Sequence, residues 1–155
     1  MLALLGKFED VKEKIKDMLK MSGSGGGVIY EGARRDGEEP VVVRLEISKG
    51  KPFLVKDLKP MPFDIRPSRE LYDHSMGFSW GYSGSGPAQL ALAILLDVTG
   101  NKEIALQFHQ EFKECFVAGW GKNWRINAAQ VRAWVEMKAK AEVIKEYMRS
   151  LGDGQ

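Results

Sequence analysis

Cysteine is the scarcest informative residue in this chain: Cys115 stands alone among 155 residues. A single thiol closes no intramolecular disulfide, so a bridged framework of the secreted type is excluded. Cys115 reads instead as a small buried apolar residue. Histidine occurs only as His74 and His109. His109 and Cys115 would fall on different faces of a helix, and no other group of donors has ligand spacing, so neither a metal site nor a cofactor is expected. Long apolar runs are also missing. The longest, Leu90 to Leu96, falls far short of the ~20 residues that span a bilayer. The opening MLALLGKF is too brief for a signal-peptide core, and Glu9 and Asp10 follow it, so a cytoplasmic location without a membrane partner is expected. One-signed charge is scarce as well. The net charge is +2, and acidic and basic residues are interleaved throughout. That pattern weighs against a dedicated duplex nucleic-acid binder.

The rest is ordinary globular material, with 44% apolar and 28% charged residues. Residues 1–21 carry Leu4, Phe8, Val11, Ile15 and Met18 at spacings of four and three, the stripe of an amphipathic helix. A Gly/Ser linker, 22–27, follows. A domain over 28–136 then opens with β-type segments: Val28-Ile29-Tyr30, Val41 to Ile47 and Phe53-Leu54-Val55, with a turn at Arg35-Asp36-Gly37-Glu38. Three prolines between Pro60 and Pro67 predict an extended connection.

Phe78, Trp80 and Tyr82 alternate with small residues, so a strand here would put all three rings on one face. Ser83-Gly84-Ser85-Gly86-Pro87 then starts an almost wholly apolar helix to about Val98, the expected central buried element. Gly100 ends it. A second helix, 102–118, carries Ile104, Phe108, Phe112 and Cys115/Phe116. A last one starts at an Asn127 cap with the stripe Val131, Trp134, Met137, Ala141, Ile144, Met148 and Leu151. Residues 137–155 form a helical extension whose spacing resembles a coiled-coil seam. The fold class is α+β: a small antiparallel β-meander packed on a central helix with two or three further helices.

The segment Gly77-Phe78-Ser79-Trp80-Gly81-Tyr82-Ser83-Gly84-Ser85-Gly86-Pro87-Ala88-Gln89-Leu90-Ala91-Leu92-Ala93 resembles the signature of an uncharacterised family of short prokaryotic and phage proteins, roughly G-F-x-W-G-Y-G-G-S-G-P-A-Q-L-A-L-A. The resemblance extends from about Val28 to Trp134 and includes Asp73-His74-Ser75, Phe112-Lys113, Val117-Ala118 and Trp124. Ser83 stands where the family usually has Gly. The resemblance implies a stand-alone domain of unknown function and supplies no catalytic residues.

The helix start at 83–87 is the candidate site. Unpaired N–H groups and the positive end of the helix dipole favour an anion there, and the glycines permit close approach. Trp80, Tyr82, Ser83, Gly84, Ser85, Gly86, Gln89 and His74 are the residues expected to line it, for a small anionic or nucleotide-like ligand. Walker and dinucleotide fingerprints are both incomplete here. Each feature also has an architectural reading: a tight turn into a buried helix, rings packed in a core, and turn capping by Asp73-His74-Ser75. A non-catalytic binding module is therefore the leading expectation. An assembly module that self-associates through its terminal helices is the alternative. A small hydrolase using His74 with Ser75, Ser83 or Ser85 is weaker, because G-x-S-x-G is not matched.

Overall fold

Period-two alternation builds the sheet. In Val28–Ala33 (β1) the side chains of Val28 and Tyr30 are buried on the core face, while Ile29 and Glu31 face the other way. The computed structural model describes residues 27–47 and 60–152, together with Glu9, Glu13 and Lys16. The helix expected over 1–21, nearly all of the linker and the strand expected at 53–55 lie outside the described residues.

Val41–Glu46 (β2) pairs antiparallel with β1 from Val28↔Glu46 to Ala33↔Val41. The expected turn joins them: Glu38 N–H donates to Arg35 O at 3.1 Å, and Gly37 takes φ 79°, a conformation that only glycine adopts without strain. Met61–Pro62 (β3) adds a short edge on β2, where a proline needs no ladder partner. Asn123–Asn127 (β4) pairs antiparallel with β1 on its other side. The sheet order is β3-β2-β1-β4.

The connection expected over Pro60–Pro67 is non-helical as far as Ile65, and Arg66–Leu71 (α1) takes up its last two residues. Pro67 lies in its first turn, where the missing N–H leaves no bond unmade. Ser85–Thr99 (α2) is buried along nearly its whole length and ends at Gly100, φ 62°, whose N–H donates to Leu96 O at 2.8 Å. Lys102–Cys115 (α3) is capped by Asn101, whose side chain accepts from Ile104 N–H at 3.1 Å. A 3-10 turn, Val117–Gly119, follows it. Ala128–Gly152 (α4) opens on a reciprocal capping box: Asn127 accepts from Gln130 N–H at 2.7 Å and Gln130 accepts from Asn127 N–H at 3.1 Å.

The fold is α+β, an antiparallel sheet with helices packed against it. One apolar core joins Tyr30, Val42, Trp124 and Ile126 of the sheet to α2, which packs in turn on Phe108 and Phe112 of α3.

Three further expectations are corrected. Phe78–Tyr82 is irregular, not a strand, because Gly81 takes φ 85° and breaks the alternation. Cys115 is exposed; the α3 stripe passes to Phe116, which packs against Phe112 at 4.9 Å. On α4 the buried face is Ala128, Val131, Val135, Ala139 and Val143. Small side chains let this helix approach closely, and Met137, Ile144 and Met148 are left outside.

Candidate functional site

Three independent constraints place the segment between α1 and α2. Gly81 N–H donates to Val117 O at 3.0 Å, tying the loop to the 3-10 turn. Trp80 is 1% exposed, and its Nε1–H donates to Gly121 O at 2.7 Å. Trp124 meets the Trp80 ring edge-on at 5.7 Å, and the Arg34 guanidinium lies 4.6 Å from its centroid. Arg34 also donates to Ser79 Oγ at 2.7 Å. Trp80 is therefore enclosed by protein. Phe78 stacks on Phe63 at 5.4 Å, and only Tyr82, 50% exposed, keeps an open ring.

The expected site residues separate into three groups. Tyr82, Ser83, Gly84 and Ser85 stay together at the start of α2. There the Tyr82 ring lies across the glycines: a Cβ on Gly84 would fall 2.5 Å from Tyr82 Cε2, and one on the buried Gly86 would fall 3.3 Å from its hydroxyl. Ser83 Oγ donates to Glu114, and that bond, with Lys113, holds the Glu114 carboxyl below its ordinary range.

Gln89, fully buried, forms the second group. Its Oε1 accepts from the backbone N–H groups of His74 at 2.7 Å and Ser75 at 3.1 Å, and its Nε2 donates to Ser68 Oγ at 2.8 Å. It clamps the loop after α1 to α2.

The third group is one that sequence spacing did not suggest. His74 Nε2 and His109 Nε2 are 2.9 Å apart, and His109 Nδ1 is 2.8 Å from Leu106 O. The carbonyl accepts, so His109 Nδ1 carries the hydrogen, its Nε2 is the acceptor, and His74 Nε2 donates. None of the hydroxyls of Ser75, Ser83 and Ser85 partners His74: Ser75 Oγ accepts from Gly77 N–H and Ser83 bonds Glu114. Burial, then His109 and Lys113, push His74 below its ordinary value. Burial does the same to His109, against hydrogen bonds to the Leu106 and Ala105 backbone.

Both imidazoles are depressed on folding, so above an unfolded value of about 6.5 neither state is protonated and nothing is lost. As pH falls below it, the unfolded chain takes up protons that the native pair resists, and stability declines. Urea unfolding at about pH 7.5 and 5.5 should show this decline. His74→Gln should remove much of it, because Asp73 and Glu114, held low by Arg69 and Ser83, titrate further down. An identical profile in the variant would count against the pairing.

A cavity of about 170 Å³ lies between the inner edge of the sheet and α1/α2, walled by Met61, Phe63, Ala93 and Leu96, with Ser68 and Asp97 among its polar groups. Beside it Tyr30 OH and Arg44 Nε, the latter at 2.8 Å, both donate to Asp97 Oδ2, and Arg44 Nη1 donates to Glu46 at 2.7 Å. Burial opposes the Arg44 charge, but these hydrogen bonds outweigh it and hold the guanidinium above its ordinary value. Asp64, also lining the cavity, is bonded to Arg66 at 2.9 Å. Neither Asp97 nor Arg44 was singled out from the sequence as a site residue. The signal was there: Asp97 is the one charge on α2, and Arg44 interrupts a β-branched strand. A wider hollow of about 400 Å³ on the outer sheet face, by Val41 and Val43, is open and crossed by the Arg125–Glu31 pair at 2.6 Å. Among the described residues no group of three or more His, Cys, Asp or Glu could hold a metal ion, and no helix is long and apolar enough to cross a membrane.

A family model described as a family of unknown function, DUF6166, matches residues 30–137. The chain belongs to DUF6166. In this DUF6166 chain the match begins within β1, takes in the rest of the sheet, the Gln89 clamp, the histidine pair and the cavity, and stops within α4. Comparison with curated proteins and with solved structures gives no match.

Proposed function

We propose that the domain is a non-catalytic binding module, and that its ligand is a small uncharged ring carrying one hydrogen-bonding group, held in the cavity between β2/β3 and α1/α2. The observation that carries this reading is the combination of that cavity's apolar wall with charges that are already compensated. Arg44 is matched by Asp97 and Glu46, and Asp64 by Arg66. A charged ligand would have to displace one of these partners, whereas a neutral ring would only displace water.

The size suits a single ring: an apolar cavity of ~150 Å³ accommodates benzene. Burying one ring contributes about 2–3 kcal/mol, so millimolar dissociation constants are expected for bare fragments. The helix start at 83–87, the anion site expected from the sequence, has Tyr82 laid over its glycines and the rings of Trp80 and Phe78 turned inward.

Thermal shift and protein-observed NMR with phenol, benzamide and indole, beside benzoate, benzylamine and inorganic phosphate, test the proposal. Uncharged rings should perturb Met61, Phe63 and Ala93, and Ala93→Leu, which fills the cavity, should weaken them at least fivefold. Equal binding to the Ala93→Leu variant, or stabilisation by phosphate alone with shifts at Ser85 and Gly86, would replace the cavity by the helix start.

A further inference from the structure

α4 carries a second apolar stripe that faces away from the core. Val135, Ala139 and Val143 are buried, whereas Met137, Ile144 and Met148 are 56%, 53% and 61% exposed. With Ala141 and the half-buried Leu151 they recur at alternating steps of four and three along 137–151, the period of a helix-to-helix seam. A soluble surface rarely carries contiguous large apolar side chains of this kind without a partner.

The flanks say which partner. Lys140 precedes Ala141 and Lys145 follows Ile144, so an exposed ammonium borders the stripe on each side. Lys138, next to Met137, is bonded to Glu111 at 2.9 Å. A second copy of α4 would set lysine against lysine. The stripe at residues 4–18 has the same spacing, but in sequence it is bordered by Lys7, Lys12 and Lys14, so it repeats the mismatch.

We propose that this face docks an acidic amphipathic helix of another protein, with apolar side chains on the Met137–Met148 stripe and carboxylates beside Lys140 and Lys145. The stripe lies almost wholly beyond residue 137, so the contact belongs to this chain's extension and is independent of the ligand cavity.

The test titrates the full chain into two labelled peptides of roughly three leucine heptads, one with Glu and one with Lys at the flanking positions. The Glu peptide should bind at least tenfold tighter, and weaken as salt rises from about 50 to about 300 mM and the Debye length shortens. Binding should be lost in Ile144→Ser/Met148→Ser, whose melting temperature should stay near that of the parent. Lys140→Glu/Lys145→Glu should reverse the preference between peptides. Equal binding of the two peptides, no binding of either, or an unreversed preference overturns the proposal. So does light scattering that shows a dimer which Ile144→Ser/Met148→Ser converts to monomer, since the second copy would then be the occupant.

Discussion

Gly32→Ala should destabilise the domain by at least ~3 kcal/mol, lowering the melting temperature by roughly 6–12 °C for a chain of this size. Gly32 is the penultimate residue of β1 with its φ in the ordinary range, so the reason is space, not backbone freedom. A Cβ there would fall 2.1 Å from Trp124 Nε1 and 2.3 Å from Cε2. The indole cannot swing clear, because Trp120 stacks on it at 4.1 Å and Trp80 meets it at 5.7 Å. Either the three rings shift together or β4 moves off β1. The close approach also accounts for Trp124 Nε1, the only buried side-chain polar atom without a hydrogen-bond partner among the described residues. Trp124→Leu should then rescue Gly32→Ala, a coupling that a double-mutant cycle would read as ~2 kcal/mol. Denaturant midpoints for the four proteins check this. If Gly32→Ala melts within a degree of the parent, the indole does not lie on the β1 backbone.

That contact shows where the sequence ceases to be legible. The α2 boundaries were readable because Pro87 and Gly100 impose local backbone rules, and the β1–β2 turn because Gly37 does. Asn127 announced the last helix in the same way. β4 escaped because its five residues, wedged between glycines and a helix cap, give too few alternations to stand out. Its place beside β1 depends on pairing across most of the chain. On α4 the stripe read from the sequence meets the core at Val131 and Trp134 only, and beyond residue 136, read as an extension, the core-facing side was not seen. The large residues Met137, Ile144 and Met148 dominate any apolar pattern, yet the core takes Ala139 and Val143, whose small volume permits close packing.

The site was partly legible. Sequence reasoning gathered His74, Trp80, Tyr82 and Gln89 around one loop, and they do lie within it or beside it, but facing different ways. Alternation would have aligned Trp80 and Tyr82 only in a strand, and Gly81 at φ 85° rotates them apart. Asp97 and Arg44 are 53 positions apart, so no local pattern could join them, although a lone acid on an apolar helix and a lone base in a β-branched strand are each a sign of a buried partner. The His74–His109 pair is equally non-local.

Gln89 is the point at which loop and core are joined, and Gln89→Leu should cost about 3–4 kcal/mol. Leucine fills nearly the same volume, so the loss comes from polar groups rather than from a cavity. The backbone N–H groups of His74 and Ser75 lose their shared acceptor, and Ser68 Oγ loses a donor. Each buried group left unpaired costs ~1–3 kcal/mol, reduced wherever the loop can open to water. Ser68 Oγ still donates to Ile65 O at 2.8 Å, so α1 should hold while the residues after it detach. Hydrogen exchange distinguishes this from global loosening: protection should fall at His74 and Ser75 by far more than at Leu92 or Phe108. Once His74 no longer stands over His109, the loss of stability between about pH 7.5 and 5.5 should shrink as it does in His74→Gln. A variant that keeps both its stability within about 0.5 kcal/mol and its slow exchange at His74 would mean that the buried amide is a bystander, and that the loop is held by its rings and by Arg69–Asp73 alone.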